Sequence, residues 1–509
     1  MRSRKRRPTA FTNAGNRSQT ATFAAVNSRL VIGGEWVDGA DGAYDVVNPA
    51  TEEVVGAAPE ASESQAADAA RAAAAAFPAW SQTSPTERAE LLQKTADAMR
   101  DHFDELLPLV IAETGCTATV GKQMQVPQAR VRFETYARLA HESPVLPLAP
   151  MEMPATALAP GGLIGAIARR QPVGAVACIT PYNFPIVNMA GKIGPALATG
   201  NTVVVRPASQ NPLAVIELVR LMHEVGFPPG VVNVVTGSTP ATGEALVASP
   251  AIDMVSFTGS TAVGTRIGEV GGRTMKRLLL ELGGKGGALV FEDADVKTAV
   301  QMIGSVWTFH SGQICTAPTR AIVHRSIYDQ VVGGLTQMAG ALKVGDPYEP
   351  GTVVGPVITA AHRARIEGYV QAGRDEGGEV VAGGARPEKP DKGFYVTPTL
   401  IAGCRAGMKV VQEEIFGPVI VVIPFDDEDE GIELMNGTEF GLYDYVFSRD
   451  TNRAFRVSKR LRAGNIGINT TQRNHNTPFG GTKQSGVGRD GGVFGLHAYT
   501  ELQSVVWPG

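Results

Sequence analysis

The chain has 509 residues, of which 43% are hydrophobic and 19% charged, and this predicts two or three domains with large cores. Its net charge of −4 argues against nucleic acid or a membrane surface as partner, and no apolar run has the length of a membrane span. The four cysteines are widely spaced and the histidines are scattered, so the sequence predicts no metal and a reducing, cytoplasmic setting.

Residues 1–28 form a basic segment that is rich in Arg, Ser and Thr, and the first acidic residue of the chain is Glu35. This composition resembles a transit peptide. Because no apolar stretch follows the arginines, we favour a disordered basic tail.

Short strands joined by Gly-Gly and Asp-Gly turns begin at about residue 29, and helical segments follow over 65–77 and 85–112. From 173 to 290, apolar strands alternate with helices, which is typical of a doubly wound α/β domain. Strands are predicted over 173–180, 201–208, 230–237 and 254–259, and helices over 212–226 and 241–249. A second domain of the same kind is predicted from 291 to about 470.

Cys315 lies in the segment HSGQICTAPTR, which spans 310–320. A cysteine can act as a nucleophile when its surroundings ionise the thiol. A single cysteine is otherwise most often a small buried hydrophobic residue. The choice between the two depends on the other motifs of the chain.

Glu281 and Asn183 are further candidates for catalysis. Glu281 ends an apolar strand before two glycines, where a carboxyl with a raised pKa would suit a general base, although it could also face solvent. Asn183 lies between two prolines just past a strand, where its amide can donate to an oxyanion or serve only the turn. The segment from Gly259 to Gly264 also follows a strand, and it fits either a cofactor-binding helix start or a plain turn.

Six segments give these residues a common interpretation, because their order resembles that of the aldehyde dehydrogenase superfamily. They are PYNFP with Asn183, FTGSTAVG (257–264), LELGGK (280–285), GQICT (312–316), EEIFGPV (413–419) and PFGGTKQSGVGRD (478–490). The resemblance extends from about residue 29 to 509.

The resemblance implies two doubly wound Rossmann-like α/β domains plus a small β-hairpin oligomerisation domain. The NAD(P)-binding domain would comprise 29–150 and 173–282, and the catalytic domain 283–477. The oligomerisation hairpin and C-terminal segment would comprise 151–172 and 478–509. The hairpin would have two short strands near 153–172, with YTELQSVVW packed on it across the subunit contact of a homodimer or homotetramer.

The same resemblance implies oxidation of a small-molecule aldehyde to the acid with NAD or NADP. Cys315 would attack the aldehyde, while the Asn183 amide and the Cys315 backbone N–H stabilise the oxyanion. Glu281 would activate the water that hydrolyses the thioester, and Lys192 would support the site. Glu414 would hold the nicotinamide ribose and Phe416 would pack beside the nicotinamide. The implied cofactor-binding residues are Thr180, Pro181, Tyr182, Arg206, Ala208, Ser209, Gly259, Ser260, Gly264, Leu282, Gly283, Glu414 and Phe416.

Two departures from the family pattern affect the choice of cofactor. Many members have Lys and Glu where this chain has Arg206 and Ser209, so the carboxylate that repels a 2′-phosphate is missing. This predicts that NADP is accepted beside NAD. Alternatively, Arg206 merely replaces the lysine and NAD is still used. Tyr182 and Asp490, which replace a common Trp and Glu, look tolerable.

The substrate is less well defined. Gly191 stands where some relatives have an aromatic ring, which predicts a wide tunnel, and Arg473 and His475 precede the PFGG segment. If Arg473 reaches the tunnel, a carboxylate-bearing semialdehyde is favoured; if both side chains face solvent, a neutral aldehyde fits as well. A catalytically silent relative and a CoA-acylating enzyme are further alternatives. Intact Cys315, Glu281 and Asn183 argue against the first, and Glu281 against the second.

Overall fold

The computed structural model describes residues 28–508, so the predicted basic tail lies almost wholly outside the described residues. The strands are β1 (Leu30–Ile32), β2 (Glu35–Val37), β3 (Ala43–Val47), β4 (Val54–Pro59), β5 (Val145–Met153), β6 (Gly162–Pro172), β7 (Ala175–Ile179), β8 (Thr202–Arg206), β9 (Val232–Val234), β10 (Met254–Thr258), β11 (Arg277–Glu281), β12 (Gly287–Val290), β13 (Arg320–His324), β14 (Glu379–Ala382), β15 (Thr399–Ala402), β16 (Val419–Phe425), β17 (Tyr443–Phe447), β18 (Asn465–Ile468), β19 (Gly486–Val487) and β20 (Thr500–Pro508).

The α-helices are α1 (Glu63–Trp80), α2 (Pro85–Asp101), α3 (Phe103–Thr114), α4 (Ala118–Val120), α5 (Val126–Leu139), α6 (Pro185–Ala198), α7 (Leu213–Glu224), α8 (Ala241–Ala248), α9 (Thr261–Gly272), α10 (Val296–Thr308), α11 (Tyr328–Ala341), α12 (Ala360–Asp375), α13 (Lys409–Gln412), α14 (Glu428–Asn436), α15 (Thr451–Ser458) and α16 (Gly492–Ala498). A π-helical turn covers Gly121–Gln125, and 3₁₀ turns cover Phe309–Gly312, Arg325–Ile327 and Lys483–Ser485.

The first sheet has the order β19-β11-β10-β7-β8-β9-β1-β2. The five strands from β11 to β9 are parallel, while the edge pairs β19–β11, β9–β1 and β1–β2 are antiparallel. The four strands predicted between 173 and 259 are confirmed as β7 to β10, because continuous apolar runs are typical of strands buried on both faces.

The second sheet has the order β14-β15-β16-β13-β12-β17-β18, and all its pairs are parallel except β14 with β15. Helices pack against both sheets, and the core of each sheet is made of its buried Val, Ile, Leu and Ala side chains. The predicted fold class of two doubly wound α/β units is therefore confirmed. Within residues 28–508, every helix falls short of the length and apolarity that a bilayer crossing requires.

The third sheet contains three strands in the order β20-β6-β5. Its first strand begins at Val145, before the expected start at 151, and β6 is one long strand where two short ones were expected. Pro147, Pro150 and the exposure of the whole of β5 hide the alternating pattern that reveals most strands. The C-terminal strand β20 pairs with β6 of its own chain, and its expected packing across a subunit contact stays a prediction.

The single helix expected over 85–112 is divided into α2 and α3. The break is at His102, whose backbone leaves the helical region at φ −101° and ψ 21°. The division lets α2 pack against α5 and α6 while α3 contacts α7. Helix propensity alone cannot reveal such a break, because it is set by packing partners that are distant in the sequence.

Candidate active site

The candidate residues of the first sheet meet at its carboxyl edge. Thr180, Gly259 and Glu281 lie at the ends of β7, β10 and β11, and Arg206 ends β8. The chain order reverses between β7 and β10, and a crevice at such a point is where open α/β sheets bind ligands. The segment from Leu282 to Gly286 then leads directly to the amino end of β12 in the second sheet.

Glu281 is buried, with 4% of its surface exposed, so the solvent-facing alternative is wrong. Neither carboxylate oxygen has a hydrogen-bond partner among the described residues. Burial raises the pKa of Glu281 well above its usual value; Asp490 raises it further, whereas Lys192, Arg489 and Arg473 lower it. The Glu281 carboxyl is therefore held in a protein interior with both oxygens free to accept a proton or a water.

Cys315 lies in the loop between α10 and β13. It is next to the segment from Leu282 to Gly286, called here the glycine-rich link, which joins the two sheets. A Cβ at Gly284 would lie 2.4 Å from the Cys315 carbonyl oxygen. Burial raises the pKa of the Cys315 thiol to about 12; the Glu414 and Glu281 carboxylates raise it, and Arg473 lowers it. The surroundings therefore favour the protonated thiol, and the thiolate that nucleophilic attack requires must be generated by loss of a proton.

Asn183 is buried beside the loop that carries Cys315. Its Nδ2 donates to the carbonyl oxygen of Gln313 over 2.8 Å. Asn188 Nδ2 donates to its Oδ1 over 3.4 Å. The Asn183 side chain thus contacts Gln313, which precedes Cys315 by two positions in the chain. The oxyanion hypothesis requires such proximity.

Lys192 is 1% exposed, and its Nζ lies 3.1 Å from Ser256 Oγ, which in turn lies 2.7 Å from the Tyr499 hydroxyl. Burial lowers the pKa of Lys192, while the charges of Asp490, Cys178 and Glu281 raise it and that of Arg132 lowers it. The amine therefore lies within the electrostatic reach of Glu281, behind the carboxyl edge of the first sheet.

Glu414 and Phe416 lie against the glycine-rich link. Glu414 accepts a hydrogen bond from the Gly284 backbone N–H over 2.8 Å, and a Cβ at Gly283 would lie 2.5 Å from Glu414 Oε2. The Phe416 ring lies edge-on to Tyr182, with 5.9 Å between centroids, and its backbone φ is +58°. Four sequence-predicted residues from three distant segments, Tyr182, Gly283, Glu414 and Phe416, thus lie in contacting pairs.

The start of α9 is shaped by two glycines and Ser260. A Cβ at Gly264 would lie 2.4 Å from Leu282 Cδ2, so helix and strand end approach too closely for any side chain. Ser260 Oγ caps the helix by accepting from the Val263 N–H, and the Gly259 N–H donates to the Glu281 carbonyl oxygen over 3.0 Å. The first turn of α9 therefore begins beside Glu281, at the edge of the sheet where a ligand phosphate could meet the helix start.

The opposite end of the crevice carries Arg206 and Ser209. The Arg206 guanidinium donates to the carbonyl oxygens of Pro207, Gly237 and Thr239, which leaves only Nε without a partner among the described residues. Ser209 Oγ contacts Gln210 Oε1 at 3.4 Å, and Ala208 is buried. Because both terminal nitrogens of Arg206 already donate to backbone carbonyl oxygens, only Nε is left to donate to a phosphate, fewer groups than the sequence predicted.

The remaining predicted cofactor residues line the crevice between these two ends. Pro181 and Tyr182 are half-buried in the loop after β7, and the Tyr182 carbonyl oxygen accepts from Asn211 Nδ2 over 2.6 Å. Thr180 is buried, and its hydroxyl has no partner among residues 28–508. An unpaired buried hydroxyl on the crevice side is a free hydrogen-bonding group for a ligand.

Gly191 does not widen the tunnel as predicted. A Cβ at this position would lie 3.2 Å from Arg132 Nη1, so the space that the glycine leaves is filled by an arginine from α5. Arg473 is half-buried, with its guanidinium carbon 3.8 Å above the Phe479 ring centroid, whereas His475 is exposed. The alternative that both loop side chains face solvent is therefore wrong for Arg473 and correct for His475.

Arg132 and Arg473 are close enough to each other for their charges to interact, and Arg473 also interacts electrostatically with Cys315. Within residues 28–508, neither guanidinium has a hydrogen bond or a salt bridge to a side chain or carbonyl group. Burial lowers the pKa of Arg473 and Arg132 lowers it further, while Cys315, Tyr443 and Asp490 raise it. Sequence reasoning missed Arg132, because its contact with Gly191 joins two helices and leaves no local pattern.

Comparison with known proteins identifies the family. Residues 36–505 match the Aldehyde dehydrogenase family. The chain is 37% identical over 493 residues to betaine aldehyde dehydrogenase of Bacillus subtilis (strain 168), covering 94% of this chain and 97% of that protein. It is 38% identical over 482 residues to 2-hydroxymuconic semialdehyde dehydrogenase of Pseudomonas sp. (strain CF600), covering 93% and 98%.

A solved structure of a related enzyme supports the same family. Betaine aldehyde dehydrogenase from Staphylococcus aureus in complex with NAD+ has a TM-score of 0.91 and 34% identity, with 97% of each chain covered. The chain belongs to the aldehyde dehydrogenase family. The predicted family, enzyme class and nicotinamide cofactor are thus confirmed, and this aldehyde dehydrogenase oxidises an aldehyde to the acid with NAD(P).

The electrostatics of Cys315 in this aldehyde dehydrogenase predict how the thiol reacts. With a pKa of about 12, alkylation by iodoacetamide should speed up about tenfold per pH unit from pH 7 to 10, because only the thiolate reacts. Replacing Arg473 by Gln removes a charge that lowers this pKa and should slow alkylation. Glu414→Gln removes a charge that raises it and should accelerate alkylation. Mass spectrometry of the Cys315 peptide measures the rates; a rate independent of pH would contradict the assignment.

Proposed function

We propose that this aldehyde dehydrogenase oxidises an aldehyde that carries a carboxylate, a semialdehyde, to the corresponding dicarboxylic acid. The observation that supports the proposal is that Arg132 and Arg473 interact with each other without a salt bridge to an acidic side chain among the described residues, and that Arg473 interacts electrostatically with Cys315. Half-buried cations without a protein counter-ion are costly unless a ligand compensates them, and planar guanidinium groups match carboxylates. A relative named 2-hydroxymuconic semialdehyde dehydrogenase is consistent with this substrate class.

A cationic aldehyde fits this site less well. Several relatives are named betaine aldehyde dehydrogenase, and betaine aldehyde carries a quaternary ammonium group. Arg473, which interacts with Cys315, and its neighbour Arg132 would repel such a substrate in a partly desolvated tunnel. A neutral aldehyde remains the second candidate, since the arginine side chains could line the tunnel with their methylene groups.

In the proposed mechanism, Cys315 attacks the aldehyde carbon after losing its proton to water. The Arg473 charge favours the thiolate, and the Asn183 amide and Cys315 N–H stabilise the oxyanion. A nicotinamide held beside Phe416 and Glu414 would supply the hydride acceptor for the substrate carbon. A thioester on Cys315 remains.

Glu281 then takes a proton from a water molecule that attacks the thioester and releases the acid. Its raised pKa brings the carboxyl closer to the working pH, where a general base is most effective. Both carboxylate oxygens lack protein partners among the described residues and so are free for that water. We propose that Lys192 supports Glu281 electrostatically, because its positive charge limits the rise of that pKa.

We propose that the cofactor lies along the carboxyl edge of the first sheet. Residues from the first turn of α9, the loop after β7 and the segments around Gly283 and Glu414 would hold the nicotinamide half, and the loop after β8 the adenosine half. The close approach at Gly264 and Gly283 and the free Thr180 hydroxyl fit a bound dinucleotide. NAD is proposed as the main cofactor and NADP as an accepted one, because Ser209 does not repel a 2′-phosphate while Arg206 is already engaged.

We also propose that the unit of the first sheet, built mainly from 29–150 and 173–282, binds the cofactor and that 283–477 carries the nucleophile. The three-stranded sheet would join subunits in a homodimer or homotetramer. Its exposed apolar side chains include Leu148, Met151, Leu502, Val506 and Trp507, which water solvates poorly. A cytoplasmic location is consistent with four unpaired cysteines.

The role of Glu281 can be tested with Glu281→Gln. The variant is expected to form the thioester and give a burst of reduced cofactor of about one equivalent per site, then to stall, because water is no longer deprotonated. Stopped-flow absorbance of the reduced nicotinamide measures the burst. Loss of the burst itself would mean that Glu281 also removes the Cys315 proton.

The substrate class can be tested by replacing the two arginines with Gln, singly. Each change should lower kcat/KM for succinic semialdehyde by about 10- to 100-fold, since a charge-assisted hydrogen bond contributes ~1.5–3 kcal/mol. Activity on butanal, which lacks the carboxylate, should change little in Arg132→Gln. In Arg473→Gln it should fall less than activity on the semialdehyde, because only the loss of thiolate stabilisation at Cys315 is shared by the two substrates. Arg130→Gln is a matched control, because Arg130 lies on the same helix but pairs with Glu134 at 2.6 Å. An equal loss on both aldehydes would contradict the proposal.

Cofactor choice can be tested at Ser209. Ser209→Glu should reduce kcat/KM for NADP by about tenfold or more relative to NAD, because a carboxylate repels the 2′-phosphate. Ser209→Ala is the control and should leave the ratio within a few-fold. If the wild type ignores NADP, or if Ser209→Glu leaves the ratio unmoved, the interpretation of this loop is wrong.

A further inference from the structure

The turn that precedes Cys315 has an unusual backbone. Three successive residues, His310, Ser311 and Gly312, adopt left-handed conformations with φ of 49°, 57° and 71°. Only glycine occupies this region freely, so two side-chain-bearing residues in a row are held there by their surroundings.

Contacts on the second-sheet side hold the turn. Ser311 Oγ donates to the Gly355 carbonyl oxygen over 2.8 Å, and the Ile358 N–H donates to Gln313 Oε1 over 3.0 Å. A Cβ at Gly312 would lie 2.2 Å from the Gly417 carbonyl oxygen, so the backbone at this point touches the neighbouring loop directly. The turn therefore has a fixed position relative to the second sheet.

His310 faces the other way and holds Asn183. Its Nε2 lies 2.8 Å from the Asn183 carbonyl oxygen, which also accepts from Gln125 Nε2 over 3.0 Å. A carbonyl oxygen can only accept, so Nε2 is the donor. Burial lowers the pKa of His310 to about 4, and the ring is neutral at physiological pH. It packs against Phe184, with 5.0 Å between the centroids.

The two hydrogen bonds between the turn and Asn183 run in opposite directions. His310 donates to the Asn183 main chain, and the Asn183 side chain donates back to the Gln313 carbonyl oxygen over 2.8 Å. An amide nitrogen has two donor hydrogens. One is therefore fixed by Gln313, and the direction of the second, which is free for an oxyanion, follows from that orientation.

We propose that His310, assisted by Gln125, is a positioning residue that sets the orientation of the Asn183 amide relative to Cys315. The inference rests on the proposed role of Asn183 as an oxyanion donor. The strained turn places the His310 imidazole against the Asn183 carbonyl oxygen. Because the turn is fixed relative to the second sheet, this hydrogen bond also fixes the Asn183 loop relative to Cys315. His310 itself touches neither substrate nor cofactor in this scheme.

The test is a double-mutant cycle in the full-length enzyme. His310→Asn keeps a residue that tolerates the left-handed region, but its shorter side chain cannot reach the carbonyl. The burst rate of the first turnover should fall about tenfold or more, since small misplacements of a donor cost large factors in rate. KM for NAD should change less than about twofold, because the cofactor contacts are untouched.

In the Asn183→Ala background, His310→Asn should not lower the burst rate further, because the amide it positions is gone. Its effect on the thermal midpoint should persist, since the Asn183 carbonyl remains. Gln125→Met should behave in the same way with a smaller loss, and it serves if His310→Asn folds poorly. His223→Asn is the matched control, because it removes a comparable imidazole–carbonyl hydrogen bond, to Val232, far from Cys315.

The outcomes separate the two ideas. If Asn183→Ala leaves the burst rate unchanged, the proposed role of Asn183 fails. If Asn183→Ala lowers it but His310→Asn costs the same factor in both backgrounds, His310 acts independently and the positioning role is overturned. An unchanged burst rate in a folded His310→Asn variant would also overturn it.

Discussion

The structure depends on how closely the main chain of the glycine-rich link approaches its neighbours. A Cβ at Gly283 would lie 2.5 Å from Glu414 Oε2, at Gly284 2.4 Å from the Cys315 carbonyl oxygen, and at Gly286 2.4 Å from the Tyr443 carbonyl oxygen. At Gly284 and Gly286 the neighbouring atom is backbone, so no side chain fits there, whereas a side chain at Gly283 would displace the Glu414 carboxylate. Because the link is this thin, the carboxyl edge of one sheet and the amino edge of the other meet, and Glu281 and Cys315 share one site.

Burial is the main source of the unusual protonation behaviour of this site. It is the largest influence on the pKa of Cys315, Glu281, Lys192 and Arg473, and it disfavours the charged form of each group. Neighbouring charges then adjust the balance: Arg473 favours the Cys315 thiolate, whereas Glu414 and Glu281 oppose it. Together these influences keep the Cys315 thiol protonated, and its ionisation would add a negative charge beside Glu414 and Glu281.

The sequence predicted two kinds of feature: strands, from their local apolar runs, and site residues that lie in motifs resembling those of the family. Apolar runs located β7 to β10, and the ordered motifs around Asn183, Glu281 and Cys315 predicted both the family and the site. Contacts between distant segments could not be read in this way. Arg132 fills the space at Gly191 from another helix, Arg206 turns to backbone carbonyls, and His310 reaches Asn183 across 127 residues. Each depends on side-chain direction, which residue spacing does not encode.

The pairing of β6 with β20 has a consequence for biosynthesis. Arg169 and Gln503 contact each other although 334 residues separate them, so β6 leaves the ribosome long before its partner is translated. Until then, β6 has an unpaired edge that other nascent chains can join. Tyr499, whose hydroxyl bonds to Ser256 behind Lys192, belongs to the same late segment. We therefore expect the Tyr499–Ser256 contact behind Lys192 and the three-stranded sheet to be completed together, after translation.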